Sequence, residues 1–204
     1  GMRIDLDTST VSVARSVAWA SRVIGIELPR VYLEEASAEG MTAVLRDRPV
    51  TVLGAALLRG RSLAELAFLA GYHLTGHLTE HRLVRLSAML DDLAACFLAA
   101  VVLVELLVPN MAQALDADDE AALEEAVMAF DAAGGRADLA LFQRSVERAS
   151  LRVGLLLCGS LQAAVNMCAM LPAGFLSERE RLDELFAFQV CDRYRELCAR
   201  IGTN

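Results

Sequence analysis

The β-strand pattern in this chain is confined to residues 31–53, and this limits any sheet to a small one near the N-terminus. Short runs of β-prone residues occur at 31–33, 41–45 and 50–53, with turn residues between them. Runs of this kind, bounded by turn residues, predict a sheet of about three strands. The sequence contains no further strand pattern that we recognise.

Helix signals dominate the remaining sequence. Ser62 and Glu65 form a capping box, in which the serine hydroxyl and the glutamate carboxylate satisfy reciprocal backbone donors, and Ser177 and Glu180 form a second one. Apolar residues make up 55% of the chain and aromatic residues only 5%, a mixture that favours closely packed helices. We therefore predict an α+β fold that is predominantly α-helical, with a small N-terminal β-sheet and a helical bundle in one domain over residues 1–204.

The predicted domain has three parts. Residues 10–60 should hold a first helix, capped by Thr10, and then the small sheet. Residues 62–109 should hold the helix that follows the first capping box and a long apolar core helix. Residues 116–202 should form the remaining helices, and the last of these is expected to run without a break from 178 to 201.

Charge and composition exclude several classes of partner. The chain has 19 basic and 27 acidic residues, so its surface repels phosphate backbones and we expect no nucleic-acid partner. The most apolar segment, 93–109, contains Glu105 and is short for a membrane span, so we predict a buried core helix there. Five cysteines without a CxxC pair, and no recognisable secretory signal, predict free, buried thiols in a cytoplasmic protein.

The three histidines of the chain, His73, His77 and His81, follow one another at intervals of four residues. His73 and His77 lie in the helix opened by the first capping box, which we expect to reach about Leu78. On a continuous helix this spacing places two imidazoles on one face, one turn apart, which suits joint ligation of a metal ion. His73 and His77 are the candidate pair, because His81 lies beyond Thr79 and drifts around the helix. Taken alone, the spacing is equally compatible with chance.

The sequence around these histidines, ELAFLAGYHLTGHL at 65–78, resembles the active-site helix of the gluzincin zinc metallopeptidases of the HtpX and CAAX-prenyl-endopeptidase type. That helix reads roughly ELxxVLxHExxHxxxxH, and an upstream Leu-Pro-Arg-Val-Tyr-Leu strand and a Leu-Leu turn also fit the family. Downstream, Glu147 stands where the family has the glutamate of an ExxxD motif, its third zinc ligand. The resemblance covers residues 10–170 and implies a zincin-like fold with zinc held by His73, His77 and Glu147.

Two positions depart from the family pattern, and both carry leucine. Leu74 occupies the place of the catalytic glutamate, which in the family polarises the zinc-bound water and transfers its proton. Leu151 occupies the place of the ExxxD aspartate, which orients a ligand histidine in the family. Loss of a general base typically costs about 10²–10⁴ in rate, so the resemblance implies a domain with no catalytic residue and at most a vestigial zinc site.

These observations leave three functional hypotheses. The first is a pseudo-metallopeptidase with a binding or regulatory role, whose protein or peptide partner adds a strand to the edge of the small sheet. The second is an active zinc-dependent peptidase that uses Glu80 or His81 as an unusual base. The third is a helical protein-interaction module without metal, and its apolar helices could also support a homodimer.

Overall fold

The computed structural model describes most of the chain, which divides into two compact units. The described residues are 1–34, 40–44, 50–86, 89–106 and 117–202. The first unit comprises Gly1–Leu86 and Gln143–Asn204, and the second comprises Ser87–Phe142. The structure is mainly helical with one small sheet, so the predicted α+β fold class is confirmed.

The sheet lies in the first unit, and four strands belong to its described part. They are β1 (Met2–Ile4), β2 (Arg30–Glu34), β3 (Met41–Val44) and β4 (Val50–Gly54). Their order across the sheet is β1-β2-β4-β3, with β2 and β4 parallel and the two outer pairs antiparallel. The three predicted strands are confirmed, although Leu45 lies outside the described residues. β1 is an addition, because a strand of three residues is too short to produce a recognisable alternation.

Helices make up most of the rest of the described chain. They are α1 (Ser12–Ile24), α2 (Leu63–Thr75), α3 (Thr79–Leu86), α4 (Leu90–Leu106), α5 (Ala117–Ala132), α6 (Leu139–Cys158), α7 (Leu161–Cys168), α8 (Glu178–Val190) and α9 (Asp192–Ile201). Both predicted capping boxes are present, at the first turns of α2 and α8. These boxes start their helices where expected because each one satisfies backbone donors that the helix itself leaves open.

Three helix boundaries differ from the predictions. Helix α1 begins after Val11 rather than after Thr10, and no side chain caps it. Helix α2 ends at Thr75 instead of continuing to about residue 78. The long helix predicted for 178–201 is divided at Cys191, whose backbone is extended. The break lets Phe188 and Tyr194 meet edge to face, with ring centroids 5.4 Å apart. On an unbroken helix, residues six apart point to different sides, so one core could not receive both rings.

One face of the sheet forms part of the core of the first unit. Side chains alternate across a strand, so Val31 and Leu33 of β2 share a face with their partners in β4, Thr51 and Leu53. All four are buried, and apolar residues of α1, α2 and α6 belong to the same core. Thr51 is the one polar residue among these four, and it marks the place where the sheet meets the histidines of α2.

Helices α2 and α6 approach each other closely because each has glycine at the point of contact. A Cβ atom built on Gly154 would lie 2.9 Å from both the carbonyl oxygen and the Cδ2 atom of Phe68, and one built on Gly71 would lie 3.0 Å from the Cα atom of Gly154. These separations are too short for any side chain larger than hydrogen. The glycine pair therefore sets how deeply α6 packs against the helix that carries the histidines.

We expect Gly154→Ala to lower the free energy of unfolding by about 1–3 kcal/mol, because the new methyl group must push Phe68 and its backbone away. Urea unfolding followed by circular dichroism measures this change. Gly40→Ala is the matched control: a Cβ atom there meets nothing within 4 Å, and we expect an effect within about 0.5 kcal/mol. Equal stability of the two variants would contradict the close helix approach.

The second unit contains α4 and α5, which pack through an edge-to-face contact of Phe97 with Phe130, ring centroids 5.3 Å apart. The prediction of a buried core helix at 93–109 is wrong for the side chains that the structure describes: Leu93 is buried, but Leu98 is 59% exposed. Residues 107–109 lie outside the described part. No helix among the described residues is long and apolar enough to cross a membrane.

Candidate histidine site

Helix α2 places its two histidines at its C-terminal end, inside the first unit. The capping box at Ser62 fixes where α2 begins, and ten successive residues from Leu66 to Thr75 are buried. Gly76 closes the helix, and the backbone N–H of His77 still donates to the carbonyl of Leu74 at 2.9 Å. This tight turn after Thr75 keeps the imidazole of His77 close to that of His73.

The two imidazoles and one threonine hydroxyl form a buried cluster. His73 Nε2 and His77 Nε2 lie 3.2 Å apart, and Thr51 Oγ1 lies 2.9 Å from the first and 3.5 Å from the second. All three residues are buried. The structure therefore brings together the two histidines that the sequence paired, and it adds a hydroxyl from β4. We call these three residues the His-Thr cluster.

Thr51 is a residue that the sequence reasoning missed. Its one signal is local: it stands among apolar residues in the run Val-Thr-Val-Leu, at a position whose alternation points into the core. A buried hydroxyl on the inner face of a strand needs a polar partner. The alternation could have identified Thr51 as a core-facing polar group, but nothing in the sequence says that its partners lie in α2.

Glu147, the predicted third ligand, has other partners. Its Oε1 atom accepts a hydrogen bond from Arg181 Nε at 2.7 Å, and its Oε2 atom accepts from the backbone N–H groups of Phe175 and Leu176, the latter at 2.8 Å. Arg181 also donates to the carbonyl of Pro172 at 2.8 Å. Glu147 and Arg181 are each only 3% exposed. Through these hydrogen bonds the buried ion pair anchors the loop between α7 and α8 to α6.

The structure does not assemble the predicted ligand set. Among the residues that it describes, no group of three or more His, Cys, Asp and Glu side chains is placed to hold a metal ion. Glu147 is therefore not grouped with His73 and His77, and its position in the ExxxD-like motif has a structural explanation in the Arg181 ion pair.

The two leucines at which the sequence departs from the gluzincin pattern are both part of the core. Leu74 and Leu151 are each 0% exposed, and both belong to the main hydrophobic cluster of the first unit. Leu74 follows His73 directly, so on the helix it points about 100° away from that imidazole. Leu74 thus contributes packing atoms to the core and no polar group beside His73.

His81 and Glu80, the alternative bases, do not join the His-Thr cluster. His81 Nδ1 donates to the carbonyl of Thr75 at 3.0 Å, where it satisfies one of the open acceptors at the end of α2. Glu80 is exposed in the first turn of α3. His81 therefore caps the end of α2, and Glu80 lies at the start of α3.

Two of the cysteines, Cys158 and Cys168, are poor nucleophiles. All five cysteines are free, as predicted, but the expectation that they are all buried is wrong, because Cys96 is exposed and Cys158 and Cys191 are only partly buried. Burial raises the pKa of Cys158 to about 11 and also raises that of Cys168 to about 11. Since the thiolate is the reactive form, these two side chains act as packing residues at neutral pH.

The donor atoms of the cluster fit a zinc ion in kind. Imidazole nitrogen is among the commonest zinc ligands, and two nitrogens 3.2 Å apart can face one ion. A bound zinc ion would supply Lewis-acid polarisation. With Leu74 packed into the core, the histidines would contribute binding and orientation to such an ion, and Leu74 supplies no carboxylate base.

Comparisons of this chain with protein-family models, with curated proteins and with solved structures found no match.

Proposed function

We propose that this chain is a non-hydrolytic, metallopeptidase-like domain that binds or regulates a protein or peptide partner. The observation that carries the proposal is the combination of a retained, buried histidine pair with a core-packed leucine at the general-base position. Such a pair can hold an ion or a polar group, but hydrolysis also needs a group that takes a proton from the attacking water. The resemblance of residues 65–78 to the gluzincin helix supports the metallopeptidase-like part of the proposal.

The alternative of an active peptidase needs a base other than the family's glutamate. His81 already donates its Nδ1 proton to the carbonyl of Thr75, and Glu80 is exposed in the first turn of α3, beyond the end of α2. A general base must lie within hydrogen-bond reach of the water, directly or through one other water. The hydroxyl of Thr51 is in the cluster but holds its proton far too tightly to serve at neutral pH. These points favour the non-hydrolytic function.

A peptide partner has a suitable place at the β3 edge of the sheet. In the described residues β3 pairs with β4 alone, and Thr42, Ala43 and Val44 are exposed. The outer edge of such a strand presents backbone donors and acceptors that an extended peptide can pair with. The proposal therefore assigns partner binding to strand addition at β3.

A helical interaction module is the second candidate, and the second unit favours it. Leu98 of α4 and Met128 of α5 are large apolar side chains that are well exposed. Exposed apolar side chains of this kind are typical of surfaces that meet another protein, including a second copy of the same chain. This candidate needs neither the histidines nor a metal, so variants at His73 and His77 distinguish it from the first.

The peptidase assay tests the main proposal directly. We expect no His73-dependent turnover of a mixed fluorogenic peptide library in the presence of zinc, since the missing base alone lowers the rate by about 10²–10⁴. The comparison is with His73→Ala, prepared in the same way so that contaminating proteases contribute equally to both samples. Turnover by the unmodified protein that the variant lacks would overturn the non-hydrolytic function.

A further inference from the structure

A groove of about 660 Å³ lies beside α1 in the first unit, and none of the residues of the His-Thr cluster lines it. It is bounded by α1, the first turns of α2, the end of α6 and the segment before α1. Buried apolar residues form its floor, namely Leu6, Ala18, Ala67 and Leu157. Trp19 and Leu63 are exposed and stand at its rim. Small alanine side chains between larger ones leave this depression, and its volume lies within the range of about 300–1,000 Å³ that ligand sites have.

Trp19 is the apolar member of the exposed face of α1. The exposed residues of this helix are Ser12, Arg15, Trp19 and Arg22, and the other three are polar. Trp19 is also the only tryptophan of the chain, and it is 38% exposed. Tryptophan is buried to a large extent in most proteins, and it is enriched among the residues that dominate the binding energy of interfaces. Its position at the rim of a groove is therefore typical of a residue that contacts a ligand.

Two arginines flank Trp19 on the same side of α1. Arg15 precedes it by four residues and Arg22 follows it by three, so the three side chains are neighbours on the helix surface, and all three line the groove. Among the described residues Arg15 forms no ion pair, and Arg22 reaches only the exposed carboxylate of Asp7, at 3.7 Å. Exposed pairs at this distance contribute little, so a ligand can replace Asp7 at small cost.

The charge of the groove is opposite to that of the whole chain. Of the described residues that line it, two are basic and one, Asp7, is acidic. The chain as a whole has 27 acidic and 19 basic residues. A positive, partly apolar groove on an acidic protein is complementary to a ligand that carries carboxylates beside an apolar group.

The separation of the two arginines favours a peptide over a small anion or a fatty acid. Seven residues of helix place Arg15 and Arg22 about 10 Å apart along the axis of α1, on either side of Trp19. An extended peptide spans this distance in about three residues. It can thus bring one carboxylate to each guanidinium group and an apolar side chain to the indole between them, whereas a ligand with a single carboxylate satisfies one arginine.

We propose that this groove, which we call the Trp19 groove, binds an acidic peptide segment of a partner protein. A large apolar side chain of the peptide packs between Trp19 and the alanine floor, and carboxylates on both sides of it pair with Arg15 and Arg22. The inference goes beyond strand addition at β3, because no residue of β3 lines the Trp19 groove. It also requires neither the histidines nor a metal.

Selection from a random library of short, tryptophan-free peptides displayed on phage tests the inference. The unmodified protein is the bait, and Trp19→Ala removes peptides that bind elsewhere. We expect the enriched peptides to carry acidic residues on both sides of a large apolar residue. Synthetic copies of these peptides are then titrated into the protein. Because Trp19 is the only tryptophan, a change in its emission reports binding at the groove itself.

Fluorescence polarisation of labelled copies of the selected peptides compares the variants. We expect Trp19→Ala to weaken binding by about 30-fold or more. Arg15→Glu/Arg22→Glu should weaken it by about 10-fold or more, because repulsion replaces attraction, and added salt should weaken binding to the unmodified protein. Arg179→Glu/Arg193→Glu is the matched control: it changes the net charge equally at exposed arginines of α8 and α9 that do not line the groove. It should bind like the unmodified protein.

Three results would overturn the inference. The first is that no selected peptide depends on Trp19, and the second is that the two double arginine variants lose affinity equally. The third is a change of Trp19 emission with dodecanoate while no peptide is selected, which would assign the groove to a fatty acid. If Trp19→Ala does not fold, as judged by circular dichroism, the arginine variants decide, since both arginines are exposed. None of these results bears on β3 or on hydrolysis, so the proposed function stands or falls separately.

Discussion

Leu74→Glu is expected to destabilise the protein by at least about 3 kcal/mol and to give no peptidase activity. Although this change rebuilds the HExxH motif in the sequence, Leu74 is fully buried and belongs to the main core cluster. The glutamate would lose the packing of the leucine and would carry a carboxylate into an apolar environment. Urea unfolding followed by circular dichroism, together with the fluorogenic peptide assay, measures both consequences.

Leu63→Glu is the control on the same helix. Leu63 lies in the first turn of α2 and is 69% exposed, and a negative charge near a helix N-terminus is mildly favourable. We expect this variant to keep its stability within about 0.5 kcal/mol. Unchanged stability of Leu74→Glu together with new, zinc-dependent hydrolysis would show that position 74 faces the histidines and not the core.

Arg181→Leu is expected to lower the free energy of unfolding by about 3–5 kcal/mol, because it leaves the buried carboxylate of Glu147 without its counter-charge. The two side chains lie 2.7 Å apart and are almost fully buried. The measurement is again urea unfolding. The double variant Glu147→Leu/Arg181→Leu should lose less than the sum of its single variants, because no charge then stays unpaired. It still lacks an acceptor for the N–H groups of Phe175 and Leu176.

Arg179→Leu is the matched control for the buried pair. Arg179 is two residues away on α8, its side chain is 90% exposed, and it faces Asp183 at 3.8 Å. Surface pairs of this kind contribute about 0–1 kcal/mol, so we expect little change. If Arg181→Leu were no more destabilising than Arg179→Leu, Glu147 would not depend on Arg181, and its assignment as a structural anchor would fail.

Glu147 illustrates why a motif read along a helix can mislead. The spacing from Glu147 to Leu151 and Gly154 resembles that of the zincin helix, and the structure places all three residues on the buried face of α6. What the spacing does not contain is Arg181, which lies 34 residues further on and takes one oxygen of the carboxylate. The buried face was predictable from the sequence, but the partner on that face was not.

The sequence by itself determined the local features of this protein. The capping boxes at Ser62 and Ser177, the confinement of the long strands to 30–54 and the pairing of His73 with His77 all follow from residues within about four positions of one another. Hydrogen bonds and side-chain directions over that distance depend on a single helix or strand. The residue types of that segment therefore suffice to predict them.

Only the tertiary structure decided which elements meet. In the tertiary structure Thr51 of β4 lies beside the imidazoles and Leu74 packs in the core. Glu147 forms an ion pair with Arg181. The physical reason is that the partner of a buried polar group depends on which distant segment packs against it. The packing of these segments minimises the free energy of the whole unit and not that of any one helix. The histidine pair was visible in the sequence, but its third neighbour became known only from the fold.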